Sequence, residues 1–316
     1  MKYLTKFANN LEYANTVNYS VLPNVSLLND KNSIKYRYFY HKPLTFRALQ
    51  NNSSVRIINS GTPTNTINLE YNINGGNWQI YTITDYIYLN KYDFVQFRNA
   101  NETPITQFNI ANGNHRYFSF TGSIFADGNI MSLLSKNCET RNVGNLCFNK
   151  LFYGCNLKQN IYFPKNIVHA SGNTFYAMFQ NSTISNISLE FYNLTKYALR
   201  SLFQGCAYLT DVTLNITGNS NNRDCMLATF YSCANLQNVY FPGKFLGSNQ
   251  VFVSCSKLKK IIIDSPTPSE IYSNTFNPLP SACRIYVPDE SVDLYKEAEV
   301  WSTYASQILG QSQLNS

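Results

Sequence analysis

The chain has 316 residues, of which 44% are hydrophobic, so it can bury a sizeable core spread over about two or three small domains. Its net charge is +7, but the basic residues are scattered, without a Lys/Arg-rich run or a phosphate-binding glycine loop, which argues against nucleic-acid binding. No stretch approaches the roughly 18 apolar residues of a membrane-spanning helix, so we expect no membrane insertion. The opening residues MKYLTKFANNLEY lack the apolar region and cleavage site of a signal peptide.

Residues 1–42 differ from the rest of the chain. KFANNLEYANT is compatible with one short helix, which Pro23 would end, and two short extended runs follow. The segment carries too little apolar mass to fold alone. We therefore expect residues 1–42 to dock on another domain or another chain.

Residues 43–122 alternate between apolar and polar side chains in six short runs separated by turn residues. Short strands at near-regular spacing are typical of a small β-sandwich. INGGNW, residues 73–78, is a good hairpin signal within it.

Residues 123–288 contain a junction followed by an internal repeat. The pattern F-x-x-C-x-x-L-x-x-V/I-x-L/F occurs in FQGCAYLTDVTL, FYSCANLQNVYF and FVSCSKLKKIII, with looser copies on either side. Its first residues are spaced 27, 24, 27, 22 and 24 apart, at Phe152, Phe179, Phe203, Phe230, Phe252 and Phe276. A period of roughly 20–29 residues is typical of a leucine-rich-repeat solenoid, in which equivalent side chains of successive coils stack in columns.

One repeat position holds a cysteine in most coils and a serine in one: Cys155, Ser182, Cys206, Cys233 and Cys255. Free cysteine is among the most buried residue types, so we interpret these side chains as small core fillers. Because Ser182 occupies the same repeat position as the cysteines, that position does not need a disulfide, which argues against a disulfide framework. No C-x-x-C pair occurs, and Cys138, Cys147, Cys225 and Cys283 lack metal-ligand spacing, so we expect no metal and no cofactor.

Residues 289–316 follow the last repeat strand. DESVDLYKEAEVWSTYASQIL, residues 289–309, predicts a helix that Asp289 or Ser291 can cap, with a polar tail after it. A solenoid needs such a cap because its open end exposes the core. The fold class that we expect is therefore mainly β: a small immunoglobulin-like sandwich, then a short leucine-rich-repeat solenoid with a C-terminal capping helix.

Strand alternation places two columns of side chains on the outer face of the repeat sheet. One column holds Tyr162, Ser188, Thr213, Tyr240, Ile262 and Tyr286, and the other holds Asn160, Asn186, Asp211, Asn238, Lys260 and Arg284. Tyrosine rings can stack on sugars, and asparagine amides donate and accept hydrogen bonds. We predict glycan-binding residues at Tyr162, Tyr240, Tyr286, Asn160, Asn186 and Asn238. The alternative is a solvated ladder without a ligand, since tyrosine also pairs well on exposed strand faces.

The sequence carries few groups suited to catalysis. The three histidines, His41, His115 and His169, lie in no hydrolase or metalloprotease motif, and the 18 acidic residues form no cluster on a predicted sheet face. We therefore expect a protein that is not an enzyme.

Several of these stretches resemble known proteins. The F-x-x-C-x-x-L-x-x-I-x-F-P coils resemble BspA-like leucine-rich repeats, and IYVPDESVDLYKEAEVWSTYASQIL is similar to the closing segment of such proteins in gut Bacteroidales and their phages. LTFRALQNNSSVRIIN, LEYNINGGNW and FSFTGSIFADGNIMSLL resemble a β-sandwich that often precedes these repeats. KFANNLEYANT and LPNVSLLNDKNSIKY resemble a leader on structural proteins of Bacteroides tailed phages, including crAss-like ones.

The resemblance implies binding and display rather than catalysis. It implies a structural protein of a tailed-phage virion, assembled in the host cytoplasm as a head or tail decoration or a fibre. The N-terminal segment would anchor the chain to other virion proteins through Leu22, Pro23, Asn24 and Val25. The repeat surface would contact a glycan or protein of the host surface. Bacterial surface members should carry a signal peptide and a C-terminal sorting segment, and the sequence shows neither.

Two alternatives stay open. The chain could instead be a bacterial surface or intracellular module for protein interaction or adhesion, with no virion role. A homo-oligomer is also compatible with the sequence, because fibre proteins are often trimers whereas repeat proteins often act as monomers. No coiled-coil heptad decides between these oligomeric states.

Overall fold

The computed structural model describes residues 42–60, 67–83, 85–106, 108–109, 115–139, 142–162, 169–170, 172–218, 224–276 and 278–314. Residues 41–316 form one compact unit. The described residues are mainly β, with strands β1 to β17, one short α-helix and several 3₁₀ helices. This confirms the expected mainly β class.

The first sheet joins six strands in the order β10-β8-β1-β6-β3-β4. Its strands are β1 (Leu44–Ala48), β3 (Leu69–Ile73), β4 (Gln79–Ile80), β6 (Phe94–Asn99), β8 (Ile124–Asn129) and β10 (Leu157–Tyr162). All neighbours are antiparallel except β8 and β10, which are parallel. The predicted hairpin is confirmed between β3 and β4, where Asn74 and Gly75 have φ of +53° and +75°.

The second sheet has the order β5-β2-β7 and packs face to face on the first. Its strands are β2 (Ser53–Ser60), β5 (Ile87–Leu89) and β7 (His115–Thr121). The ring of Phe118 from β7 lies 4.6 Å from that of Phe46 in β1 and 5.2 Å from that of Phe97 in β6, measured between centroids. Alternating apolar residues of both sheets thus meet in one aromatic core.

The repeats form a parallel sheet in chain order, β12-β13-β14-β15-β16-β17. Its strands are β12 (Asn186–Tyr192), β13 (Asp211–Thr217), β14 (Asn238–Phe241), β15 (Lys260–Ile263), β16 (Arg284–Val287) and β17 (Ile308–Gly310). A separate short parallel pair joins β9 (Asn142–Val143) to β11 (His169–Ala170).

The phenylalanines that begin the repeats stack on one another, as the spacing predicts. From Phe152 to Phe276, successive ring centroids are 5.3 to 5.7 Å apart, with interplanar angles of 10° to 19°. All six rings are buried. Each coil therefore supplies one ring to a continuous aromatic stack, which we call the phenylalanine column.

The cysteines of the repeat lie beside this column as buried free thiols. They do more than fill space, because each Sγ donates to the carbonyl oxygen of the phenylalanine one coil earlier. The distances are 2.9 Å from Cys206 to Phe179 and 3.0 Å from Cys233 to Phe203 and from Cys255 to Phe230. The thiols therefore link successive coils, a role that the sequence analysis missed.

The side of each coil opposite the sheet is a run of overlapping turns. In the first coil, Lys150, Phe152 and Gly154 donate their backbone N–H groups to the next coil, at 2.8 to 2.9 Å. The intervening residues, such as Tyr153, donate to the carbonyl three residues earlier. The backbone is left-handed at every fourth residue, for example at Lys150 and Gly154 with φ of +56° and +64°. Backbone hydrogen bonds therefore join the coils on both sides.

The sandwich supplies the coil that precedes the first repeat. Phe118 stacks on Phe152 with centroids 6.0 Å apart and an interplanar angle of 19°, which continues the phenylalanine column. The N–H of Phe118 donates to Leu151 O at 2.8 Å, and Cys155 Sγ donates to Phe118 O at 3.0 Å. On the other side of the coil, β8 pairs with β10. Sandwich and solenoid consequently share one core, and the boundary predicted at residue 122 falls between β7 and β8.

The C-terminal end differs from the single helix predicted over residues 289–309. The segment folds as a 3₁₀ turn (Asp289–Ser291), an α-helix (Val292–Glu297), a 3₁₀ helix (Trp301–Gln307), β17 and a last 3₁₀ turn (Gln311–Gln313). Helical structure stops before Val300, whose φ is +65°. This break lets Trp301 and Tyr304 turn onto Phe276, at 5.5 and 5.2 Å between centroids, and burial of the two rings outweighs the continuation of a helix. β17 then adds a strand to the sheet.

Candidate functional site

The outer face of the solenoid sheet carries the side chains that alternation predicts there. The register pairs Asn186 with Asp211, Asp211 with Asn238, and Thr213 with Tyr240. The intervening inward residues, such as Val212 and Val239, are buried. Asn186 and Asp211 are exposed, whereas Asn238 and Tyr240 are partly buried.

Three polar side chains of this face bond to one another across neighbouring coils. The Asp211 carboxylate accepts a hydrogen bond from Asn238 Nδ2 at 2.7 Å, and Asn186 donates to its other oxygen at 3.1 Å when the Asn186 amide nitrogen faces Asp211. A carboxylate has about four acceptor positions, so Asp211 keeps free capacity toward solvent or a ligand. The ladder thus presents fixed acceptors and amide groups at the surface.

Tyr240 is held by a second network at the same face. Its hydroxyl donates to the Asp264 carboxylate, whose other oxygen accepts from Gln311 Nε2 at 2.8 Å. The hydrogen bond to Asp264, together with desolvation and the charge of that carboxylate, raises the pKa of Tyr240 to about 12. The phenol therefore stays protonated near neutral pH and is not a nucleophile, while its partly exposed ring remains available for contact.

Tyr286 requires a correction. Its side chain is only 7% exposed, so it is not an open binding residue as alternation predicts. The cause is the C-terminal segment: β17 pairs with β16, and the turn that follows packs against β16. Lys260 Nζ donates to Leu314 O at 3.3 Å and fastens that turn across the face.

Asn160 and Tyr162 also differ from the prediction. Both lie in β10, which pairs with β8 in the sandwich sheet, whereas β12 begins the solenoid sheet. The two outer columns therefore do not form one continuous ladder from β10 to β16, because β10, the strand of the first repeat, belongs to the sandwich sheet. The side chains of Asn160 and Tyr162 lie outside the described residues, as do Leu22, Pro23, Asn24 and Val25.

Sequence reasoning missed three residues of this face. Tyr192 ends β12 and is 40% exposed on the same side as Asn186, six residues earlier. Asp264 and Gln311 follow their strands directly and hold Tyr240 and the C-terminal turn. The alternation of apolar and polar residues in NISLEFY continues as far as Tyr192, so the sequence pattern does place Tyr192 on the outer face. Nothing local marks Gln311.

The cysteines offer no reactive site. All eight are buried free thiols, and burial raises the pKa of Cys206 and Cys255 to about 12. A thiol with so high a pKa is not a nucleophile near neutral pH. Among the described residues, no group of three or more His, Cys, Asp or Glu side chains is placed to hold a metal ion.

Comparison with protein families identifies the solenoid. The model of the BspA type leucine rich repeat region, six copies long, matches residues 125–245 and 177–298. The matches together cover more than half of the 316 residues. The chain belongs to this family, in which repeats serve as modules for protein interaction or adhesion and are typically non-enzymatic.

A comparison with curated proteins gives no match. Within the ranges that the structure describes, no helix is long and apolar enough to cross a bilayer.

Proposed function

We propose that this chain is a non-enzymatic structural protein of a tailed-phage virion, a head or tail decoration or fibre, whose solenoid sheet face contacts the host surface. Membership of a family of interaction and adhesion modules supports the contact role. The virion role rests on the resemblance of the N-terminal segment to phage leaders, with Leu22 to Val25 as the anchoring residues and other virion proteins as partners.

The ligand that we propose for the face is a glycan. The observation that carries this proposal is the exposed ladder of Asn186, Asp211 and Asn238 beside the ring of Tyr240. Hydroxyl groups of a sugar can donate to the remaining acceptor positions of Asp211, and amide groups can serve both roles. Because the ladder is already fixed by its own hydrogen bonds, little conformational entropy is lost on binding.

Binding tests the sheet face directly. The full chain, applied to an array of bacterial surface glycans and to host cells, should bind, and Asp211→Ala with Asn238→Ala should reduce binding at least about tenfold. Lys257→Ala with Lys259→Ala, two exposed lysines outside the strands, is the matched control. Undiminished binding by the folded ladder variant would refute the glycan site.

Mass spectrometry of gradient-purified phage particles tests the virion role. We expect the chain at a fixed ratio to the major capsid protein, and the copy number then separates a head position from a tail position. Absence from particles together with presence on host cells would favour the other candidate, a bacterial surface or intracellular interaction module. The family match alone supports that candidate equally well.

We further propose that the sandwich is a variant of the immunoglobulin fold. Pairing of β2 with β5 and of β3 with β6 corresponds to the B–E and C–F pairs of that fold. The outer strands depart from it, because β1 lies beside β6 and β7 beside β2, which are the places of the last and first immunoglobulin strands. An experimental structure with both pairs in one sheet would overturn this classification.

A further inference from the structure

Aromatic and cationic side chains line the outer face of the second sandwich sheet. The Arg56 guanidinium of β2 lies 4.5 Å from the ring centroid of Tyr86, and Tyr86 and Tyr88 are 46% and 74% exposed. The two tyrosine rings lie nearly parallel, with centroids 6.0 Å apart. Tyr117 of β7 is a diagonal neighbour of Arg56, since β2 and β7 pair Ile58 with Tyr117.

The same kind of surface continues onto the turn side of the solenoid. Tyr117 contacts Tyr153 edge to face, with centroids 6.0 Å apart, and Lys150 Nζ lies 5.4 Å from the Tyr153 ring. The N–H of Lys150 bonds to Tyr176 O in the next coil, and Arg200 lies 5.3 Å from the Tyr176 ring. We call this line the tyrosine–cation stripe: Arg56, Tyr117, Tyr153, Lys150, Tyr176 and Arg200.

The charge of the stripe depends on whether carboxylates pair with its cations. In the part of the chain that the structure describes, Arg56, Lys150 and Arg200 form no salt bridge. Each lies over a tyrosine ring instead, which orients the cation without neutralising it. The acid beside the end of the stripe, Asp224, pairs with Lys196 at 3.2 Å. Within the described residues, no salt bridge therefore neutralises the positive charge of the stripe.

The fold does not require a cation at these positions. Lys150 has a left-handed backbone, and the equivalent left-handed residues of the next coils are Ala177 and Ser201. Positive φ is uncommon for residues other than glycine, so the left-handed backbone does not explain the lysine. Arg200 is exposed, so packing does not select it either. The packing of the chain therefore fixes neither cation, and both can contact a ligand.

We propose that the tyrosine–cation stripe binds an anionic polysaccharide that runs from the sandwich across the first three coils. Coils are about 4.8 Å apart, so Lys150 and Arg200, two coils apart, place positive charges roughly 10 Å from each other. Such spacing suits a polymer that carries one acidic group every second sugar. The hydroxyl groups of the tyrosines between the cations suit the hydroxyl groups of the intervening sugars.

A single-stranded nucleic acid fits the stripe less well. It carries a phosphate at every nucleotide and needs open aromatic faces on which bases can stack. In the stripe, the cations are sparse and each covers a tyrosine face. This inference does not depend on the sheet face or on a virion role, because the stripe lies on other surfaces of the chain.

Titration of the full chain with four polymers tests the proposal: hyaluronan, which carries one carboxylate in every two sugars, keratan sulfate, which carries sulfate and no carboxylate, neutral dextran and a single-stranded oligodeoxynucleotide. We expect saturable binding of hyaluronan or keratan sulfate, and the preferred one distinguishes carboxylate from sulfate recognition. Neutral dextran should not bind. Lys150→Gln with Arg200→Gln should weaken the Kd at least about tenfold, and the salt dependence of binding should fall with the removed charges.

Lys257→Gln with Lys259→Gln removes the same charge from two exposed lysines elsewhere and should change the Kd less than about twofold. If the double variant melts at a lower temperature than the parent, Arg200→Gln alone, at an exposed side chain, should still weaken binding about threefold. Three results would overturn the stripe: no binding of either anionic polysaccharide, equal weakening by the control pair, or tighter binding of the oligonucleotide. Loss of binding in the Asp211→Ala, Asn238→Ala variant with the stripe intact would also overturn it.

Discussion

The two ends of the solenoid are closed in opposite ways. At the N-terminal end, Phe118 lies parallel to Phe152 and accepts the Cys155 thiol, so the sandwich imitates a preceding coil. At the C-terminal end, Trp301 and Tyr304 meet Phe276 at 58° and 77°. A parallel ring offers a further stacking surface, whereas a tilted or edge-on ring ends it. A parallel ring such as Phe118 therefore extends the stack, whereas the tilted or edge-on rings of Trp301 and Tyr304 end it.

Alkaline pH should destabilise the whole solenoid, including both of its ends, and gives the largest expected effect. Burial raises the pKa of Cys225 and Cys283 to about 12, and of Cys155 and Cys233 well above the value of an exposed thiol. The folded chain therefore binds more protons than the unfolded chain once the pH exceeds about 9. Its stability is complete below that pH and falls as the pH rises toward 12.

Urea unfolding between pH 7 and 10, under reducing conditions, measures this loss. A tyrosine with a pKa near 10 is about half ionised at pH 10, so the thiols account for the part of the decline that appears below about pH 9.5. A free energy of unfolding that is the same at pH 10 as at pH 7 would contradict the conclusion that the folded chain keeps its thiols buried and protonated.

Trp301→Ala tests the C-terminal closure. Trp301 is 1% exposed, packs against Phe245, Phe276 and Tyr295, and donates its Nε1–H to Ser269 O at 2.7 Å. Truncation should lower the free energy of unfolding by about 3–5 kcal/mol. Leu294→Ala, at a side chain that is 49% exposed, should change it by less than about 0.5 kcal/mol. Similar losses in the two variants would show that Trp301 does not close the column.

Phe118→Ala tests the N-terminal closure and should cost about 3–4 kcal/mol, since the ring contacts both the sandwich core and Phe152. Sandwich and solenoid should still unfold together. The chain has two tryptophans, Trp78 in the sandwich and Trp301 at the far end of the solenoid. Fluorescence of Trp78→Phe and Trp301→Phe versions separates the two regions, and two distinct midpoints would refute the shared core.

Cys155→Ala and Cys283→Ala compare the thiols nearest to the two ends. Cys155 bonds to Phe118 in the preceding coil, whereas Cys283 lies 3.9 Å from the carbonyl of its own neighbour, Arg284. Both variants lose a buried sulfur, but only Cys155→Ala loses a link between coils. We expect Cys155→Ala to cost about 0.5–1 kcal/mol more by urea denaturation. A larger cost for Cys283→Ala would mean that the thiol link adds nothing.

Tyr240→Phe gives the smallest expected effect. It removes the hydroxyl that bonds to Asp264 but leaves the Gln311 bond that fastens the C-terminal turn. The free energy of unfolding should fall by about 0.5–1 kcal/mol in thermal or urea unfolding. Tyr192→Phe, whose ring is 40% exposed on the same face, should have no measurable effect. An equal loss in both variants would show that the Asp264 bond does not stabilise this end.

The columns were predictable because their side chains recur. Phenylalanine and cysteine repeat at a fixed position, so stacking follows from spacing alone. The left-handed positions of the turn side hold Lys150, Ala177, Ser201 and Ala228, which share no sequence signature. In the column before the cysteines, the glycines Gly154 and Gly205 carried a local signal for positive φ, whereas Ser232 and Ser254 carried none.

The sequence predicted that residues 289–309 close the solenoid but not the form of that closure, and it did not predict the closure by the sandwich. Phe118 lies 34 residues before Phe152, outside the repeat spacing, and its segment FSFTGSIFA lacks the cysteine. At the other end, residues 289–309 have helical periodicity, yet burial of Trp301 overrides that local preference. The same closing segment covers Tyr286, and strand alternation cannot reveal a cover that arrives from elsewhere in the chain.

Backbone bonding on both sides of every coil has a consequence for how such a gene can change length. A duplicated segment that begins and ends at equivalent positions would bring its own phenylalanine, its own thiol and donors for both neighbours. The longer solenoid would still be closed by the sandwich at one end and by the C-terminal segment at the other. Point mutations change the surface of this chain, whereas unequal recombination can change the length of the solenoid in steps of one whole coil.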